Sequence, residues 1–228
     1  MFCGTTKKLK NIDIERIKIG DDFVDFSHEV KDLGILIDQN ISFNSHVSYL
    51  RKCCYAELRK ISSIRPFIEE KSAVQLCVSL ILSKLDYCNC LFYGMSKENF
   101  YKLQLVQNHA ACLDKRSSAK SLLKELPVEQ RVDYEIALIV FKCLNIEDFP
   151  SYLKDLIQVY TPSRSLRSAD KLLLTKPITK LKVGERSFCY FAPVVWNKLP
   201  FELRSRSCTI LPTFKKYLKT NFFRIAFE

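Results

Sequence analysis

The sequence predicts a mainly α protein with a small β element at its N-terminus, an α+β chain whose helices dominate. Three observations carry that expectation. Apolar residues recur every three to four positions over most of residues 44–160. Glycine occurs only five times in 228 residues, which disfavours turn-dense all-β folds and glycine-rich phosphate loops. A hydrophobic fraction of 47% beside 27% charged residues is that of a chain able to bury a core.

The first 43 residues follow a different period from the rest. "RIKIGDDFVDF" sets Ile17, Ile19, Phe23 and Val24 around a Gly-Asp-Asp turn, and "LGILID" is a short β-branched run. Two or three strands are expected, with a hairpin at Gly20 to Asp22. Asn44 or Ser45 can then cap a helix through Val47, Leu50, Cys54, Leu58, Ile61 and Ile64, which Arg65-Pro66 ends. Further helices are expected from about Glu69 to Cys88, from Ser96 to about Leu113, and from Pro127, with a short one after Pro150. "YTPSRSLRSADKLLLTKPITKLKVGERS" interrupts the helical spacing, and "RSFCYFAPVVWNKLP" and "LPTFKKYLKTNFFRI" restore it. In the last stretch Leu211, Phe214, Leu218 and Phe222 form an apolar stripe, with Lys215, Lys216 and Lys219 away from it. The segments are therefore 1–43, 44–160 and 161–228, the last a basic module of mixed α/β character.

Charge is distributed unevenly among these parts. The formal net charge is +11, yet residues 1–70 hold 11 basic and 11 acidic residues, and 71–160 hold 11 and 10. Residues 161–228 hold 14 basic and 4 acidic. A local positive field of that size suits a polyanion, because each phosphate neutralised by Lys or Arg releases counterions. The candidate phosphate contacts are Arg164, Arg167, Lys171, Lys180, Lys182, Arg186, Arg204, Arg206, Lys215, Lys216 and Lys219, which would position a strand without reading its sequence. RNA or DNA is the expected partner, with Tyr160 or Tyr190 as weaker candidates for base stacking. The alternative is a protein partner docked on the apolar stripe of the last helix.

Enzymatic constellations fail individually. Cys88-x-Cys90 has no matching pair for a zinc ion, and residues two apart on a helix diverge. No metal or other cofactor is expected. His28, His46 and His109 stand in three different elements without a nucleophile motif. Asp21 and Asp22 look like the paired aspartates of a two-metal polymerase, but a turn explains Gly-Asp-Asp as well. "MFCGTTKKLK" lacks the apolar core of a signal peptide, and "VQLCVSLILSKL" is shorter than the ~18–20 residues of a membrane span. The expectation is an intracellular protein, nuclear or cytoplasmic, with free thiols, no membrane contact and no secretion.

Four stretches in order resemble a known family. "VKDLGILIDQNISFNSHVSYLRKCCYAELRKISSIRPF", "LSKLDYCNCLFYGMSKENFYKLQLVQNHAA", "YTPSRSLRSAD" and "FAPVVWNKLPFELR" are similar to the C-terminal part of the reverse transcriptase of non-LTR retrotransposons, LINE elements of the CR1, L2 and jockey-like kind. The resemblance covers essentially the whole chain. It implies that "MFCG" is the tail of the palm strand after the catalytic hairpin, that 1–43 holds palm-remnant strands and the palm-to-thumb junction, that 44–160 is a helical thumb-like bundle, and that 161–228 binds element RNA or target DNA. The catalytic aspartates, which take Mg²⁺ in the intact polymerase, would lie upstream, so no catalysis is expected of this chain alone. Between "NHAACL" and "LPVEQR" the chain looks shorter than the family pattern, as in a decayed element copy. A short part of "LGILID…LRK" also resembles the start of AlkB-type dioxygenases, but the His-x-Asp of their iron site is absent. In "KLDYCNCLFYG" the resemblance makes Cys88 a family residue and Cys90 incidental, with Asp86 and Asn89 in local polar contacts and Gly94 at a turn.

Overall fold

A computed structural model describes residues 1, 3–4, 9, 16–113, 126–162, 172–205 and 210–227. It is mainly helical, with two β hairpins near the N-terminus. No described helix is long and apolar enough to cross a membrane.

The hairpins pair β1 (Arg16–Ile19) with β2 (Asp22–Asp25), and β3 (Glu29–Asp32) with β4 (Ile35–Asp38), each antiparallel. Four short strands thus replace the two or three expected. Gly20 takes φ 64° at the first turn, and Leu33 and Gly34 take φ 43° and 89° at the second, the left-handed geometry that two-residue hairpin loops need. Only β4 has a buried residue, Ile35, and β4 packs on α1 (Asn44–Ile64).

The entry into α1 differs from expectation. Phe43, not Asn44 or Ser45, occupies the cap position, with φ 59°, and its carbonyl accepts from Val47 N. Asp38 holds this loop: its carboxylate accepts from the backbone of Asn40, Ser42 and Phe43 and from the Ser42 hydroxyl. Burial alone would raise its pKa, but these hydrogen bonds outweigh burial and lower it. Asn44 is used elsewhere, its Oδ1 accepting from Asn99 Nδ2 at 2.7 Å.

The expected helix over 69–88 is one continuous helical run made of α2 (Glu70–Cys77), a π turn (Val78–Leu82) and α3 (Ser83–Asp86). Ser79 and Ser83 donate their hydroxyls to carbonyls four residues back, Gln75 O and Ser79 O, a pattern that loosens a helix. The wider turn keeps Cys77, Ile81, Leu82 and Leu85 all buried. Cys88, at φ 52°, then stops the run before a short 3₁₀ turn (Asn89–Phe92) and α4 (Lys97–Cys112), which Ser96 caps through Asn99 N.

Two compact units result: Met1–Leu85 with Met95–Leu122, and Asp86–Gly94 with Leu123–Glu228. The first is built on the packing of α1 against α4 and the α2 run. The second comprises the 3₁₀ turn, α5 (Val128–Asn145), α6 (Ser151–Lys154), α7 (Phe188–Lys198), α8 (Phe201–Arg204) and α9 (Leu211–Phe227). Within the second unit Ile136, Ala137, Val140 and Phe141 of α5 are all buried, and α5 packs on α7 and α9.

Candidate nucleic-acid interface

The orientation of α9 follows from three side chains one turn apart. Phe214, Leu218 and Phe222 are buried, and Phe214 stacks on Phe141 at a centroid distance of 4.1 Å and 16°. Trp196 closes the cluster, 6.1 Å from Phe214. With that stripe inward, Lys215, Lys216 and Lys219 are necessarily exposed. The central residues of the stripe, Phe214, Leu218 and Phe222, are covered within their own unit.

The eleven candidate phosphate contacts fall into distinct surroundings. Lys180 and Lys182 are exposed just before a 3₁₀ turn at Gly184–Arg186. Arg186 is half-buried and donates Nη2 to Gly94 O at 2.9 Å, so it anchors the turn whose φ of 70° makes Gly94 suitable. Arg204 is only 9% exposed and donates Nε to Leu199 O at 2.9 Å. A guanidinium so placed does not sit on an open surface for phosphate. Burial also pulls its pKa down. Arg164, Arg167, Lys171 and Arg206 lie outside the described residues.

Sequence reasoning passed over Lys176 and Lys198. Both are exposed, and Lys176 Nζ lies 4.5 Å above the Tyr190 ring. Each stands alone among uncharged neighbours, Lys176 between Thr175 and Pro177 and Lys198 between Asn197 and Leu199, which gave no cluster to notice. Tyr190, a stacking candidate, has that cation on its ring and its hydroxyl donates to Glu185 Oε1 at 3.4 Å.

One edge of the unit carries carboxylates. Asp86, from the "KLDYCNC" stretch, accepts from Arg131 Nε at 2.7 Å and also from Nη2. This pairing spans 45 positions of sequence, so the expected local role of Asp86 is corrected. Asp86, Arg131, Tyr134, Glu135, Leu126 and Lys219 line a pocket of about 180 Å³. Burial raises the Glu135 pKa, with Asp86 adding to it. Asp133 is pushed up to about 6, by burial first, against the opposing pull of Lys198. Lys219 lines this pocket with the two carboxylates, and Lys215 also lies close enough to pull the Glu135 pKa down.

Among the described residues no three His, Cys, Asp or Glu side chains converge as a metal site. Each imidazole has a structural partner: His28 with Gln39 Nε2, His46 accepting from Leu36 N, and His109 with the Tyr55 hydroxyl at 2.9 Å. Burial raises the Cys90 thiol pKa, which keeps it protonated and unreactive. Asn89 is buried with its Nδ2 unpaired. No family model, no curated protein and no solved structure shows a significant match to the chain.

Proposed function

We propose that the chain is the post-palm part of a non-LTR retrotransposon reverse transcriptase, and that its second unit holds RNA or single-stranded DNA by the phosphates without reading sequence. The observation that supports this most is the coincidence of two facts. Residues 161–228 carry 14 basic against 4 acidic residues, and α9 points its apolar stripe inward while exposing Lys215 and Lys216. Lys180 and Lys182 extend the set. The helices of the first unit would take the thumb-like role of gripping the template–primer duplex, and the protein would work in the nucleus or cytoplasm. Catalysis is assigned to the polymerase palm with its Mg²⁺, not to these residues.

Salt dependence tests the proposal. If Lys180, Lys182, Lys215 and Lys216 each neutralise one phosphate, log Kobs for a single strand should fall with log[salt] at a slope of about −3. Reversing all four to Glu should abolish binding at moderate salt. A slope near zero, or binding that survives the reversal, would refute the reading.

A further inference from the structure

The second unit contains a pocket that the phosphate surface does not use. It measures about 210 Å³ and is lined by Phe141, Leu144, Asn145 and Trp196, by Leu203 and Arg204, and by the chain around the Val159–Leu174 bridge. Its walls are apolar and aromatic. Its polar content is concentrated in Asn145, Arg204 and Ser205. Asn145 donates Nδ2 to Phe141 O, which leaves Oδ1 as its acceptor. Arg204, oriented by Leu199 O, supplies a donor in nearly dry surroundings. Among the lining residues Leu144 and Val159 are 37% and 49% exposed.

Size and chemistry restrict the occupant. The volume is below the ~300–1,000 Å³ usual for drug-sized ligands and suits one planar ring system. An aromatic wall, one amide acceptor and one guanidinium donor are the elements that read the edge of a base withdrawn from its stack.

We propose that this pocket takes one unstacked nucleobase from a bound single strand, with Arg204 donating to its edge and Asn145 accepting from it. Arg204, buried away from any phosphate track, is then a base contact rather than a backbone contact. The inference rests on the binding of nucleic acid proposed above and adds a base-dependent site to it.

Trp196 is the only tryptophan in the chain and lines the pocket, so its fluorescence reports occupancy. A mixed-sequence RNA of about 12 nucleotides should change that fluorescence on binding. A fully abasic strand of equal length should bind roughly 10-fold more weakly and leave the fluorescence unchanged. Val159→Phe, which adds bulk at an exposed lining position, should reduce RNA binding to the abasic level while circular dichroism and Tm stay as in the parent. Equal affinity for both strands with an unaltered Trp196 signal would overturn the pocket and leave the phosphate reading standing. Absence of any strand binding would overturn both.

Discussion

The two units bury titratable groups of opposite kind. In the first, His46 is 4% exposed and accepts from Leu36 N, so the neutral imidazole fits and burial lowers its pKa. In the second, Asp133 on α5 is partly buried, and that burial raises its pKa to about 6 against the opposing pull of Lys198. The folded first unit binds fewer protons than its unfolded chain as pH falls below the ordinary histidine range near 6.5, so its stability is lost on acidification. The folded second unit binds more protons than its unfolded chain between about 4 and 6. Its extra stability is present below that window and is lost as pH rises through 6. One chain therefore holds two cores with opposite responses to acid. Burial acts identically in both, penalising the charged form, and the sign comes only from which form is charged.

The largest blow to this contrast would be loss of the aromatic cluster on which the second unit depends. Phe214→Ala removes a fully buried ring stacked on Phe141 and bordering Trp196, and should cost about 3–5 kcal/mol. Urea unfolding followed by Trp196 fluorescence would register it. A midpoint like that of the parent would show that the cluster does not hold the unit. Ile61→Ala in α1, equally buried but aliphatic, belongs at about 2–5 kcal/mol and would be read from amide exchange in the first unit.

Asp133→Asn sharpens the comparison at a smaller scale. The neutral amide escapes the desolvation penalty, so at pH 7.5 the second unit should gain on the order of 2 kcal/mol. The rise in stability between pH 6 and 4 seen by Trp196 fluorescence should shrink, while the acid loss centred on His46 persists. An unchanged pH profile would mean that Asp133 titrates as in the unfolded chain.

Asp38 supplies the next effect, of about 1–2 kcal/mol, and belongs to the first unit. Its carboxylate gathers four donors at the entry to α1, and Asp38→Ala would leave the Asn40, Ser42 and Phe43 amides without it. Thermal melts should show the loss at neutral pH. Asp38→Asn, which keeps one acceptor oxygen, should recover part of it.

These residues also show what sequence could and could not reveal. The helix over Asn44–Ile64 was readable because six apolar positions repeat along one face, and all but Ile64 are buried. Its cap was not. Asn44 is a good capping residue by type, but a carboxylate six positions earlier organises the loop and Asn99 claims the Asn44 side chain. The π turn was hidden because its apolar residues fit α-helical spacing nearly as well. Lysines of α9 were readable as solvent-facing from the stripe alone. Arg204 was not, since its burial arises from Leu199, Leu203 and the neighbouring aromatic cluster, none of which local pattern reveals. Asp86 and Arg131 were each visible, but a pairing over 45 positions is a property of the fold.

The smallest expected effect separates the two hairpins. They have equal strand lengths and similar turns, yet Ile35 of β4 is 3% exposed under α1 while Ile17, Ile19, Phe23 and Val24 of the β1–β2 hairpin are 43–64% exposed. A substitution that buries nothing less should barely alter stability, so Ile19→Lys is expected within ~0.5 kcal/mol of the parent. Self-association is another matter. A two-stranded hairpin presents unpaired backbone groups at both edges, and exposed apolar side chains beside such an edge favour pairing between chains. A lysine at Ile19 puts a charge on that surface and should lower light scattering at high protein concentration without moving the melting curve. Ile35→Lys should do the reverse, unfolding the first unit, because β4 packs on α1 and Ile35 is buried there. If Ile19→Lys instead destabilised the chain as strongly as Ile35→Lys, the β1–β2 hairpin would have to be covered in solution and its exposure would not describe the molecule.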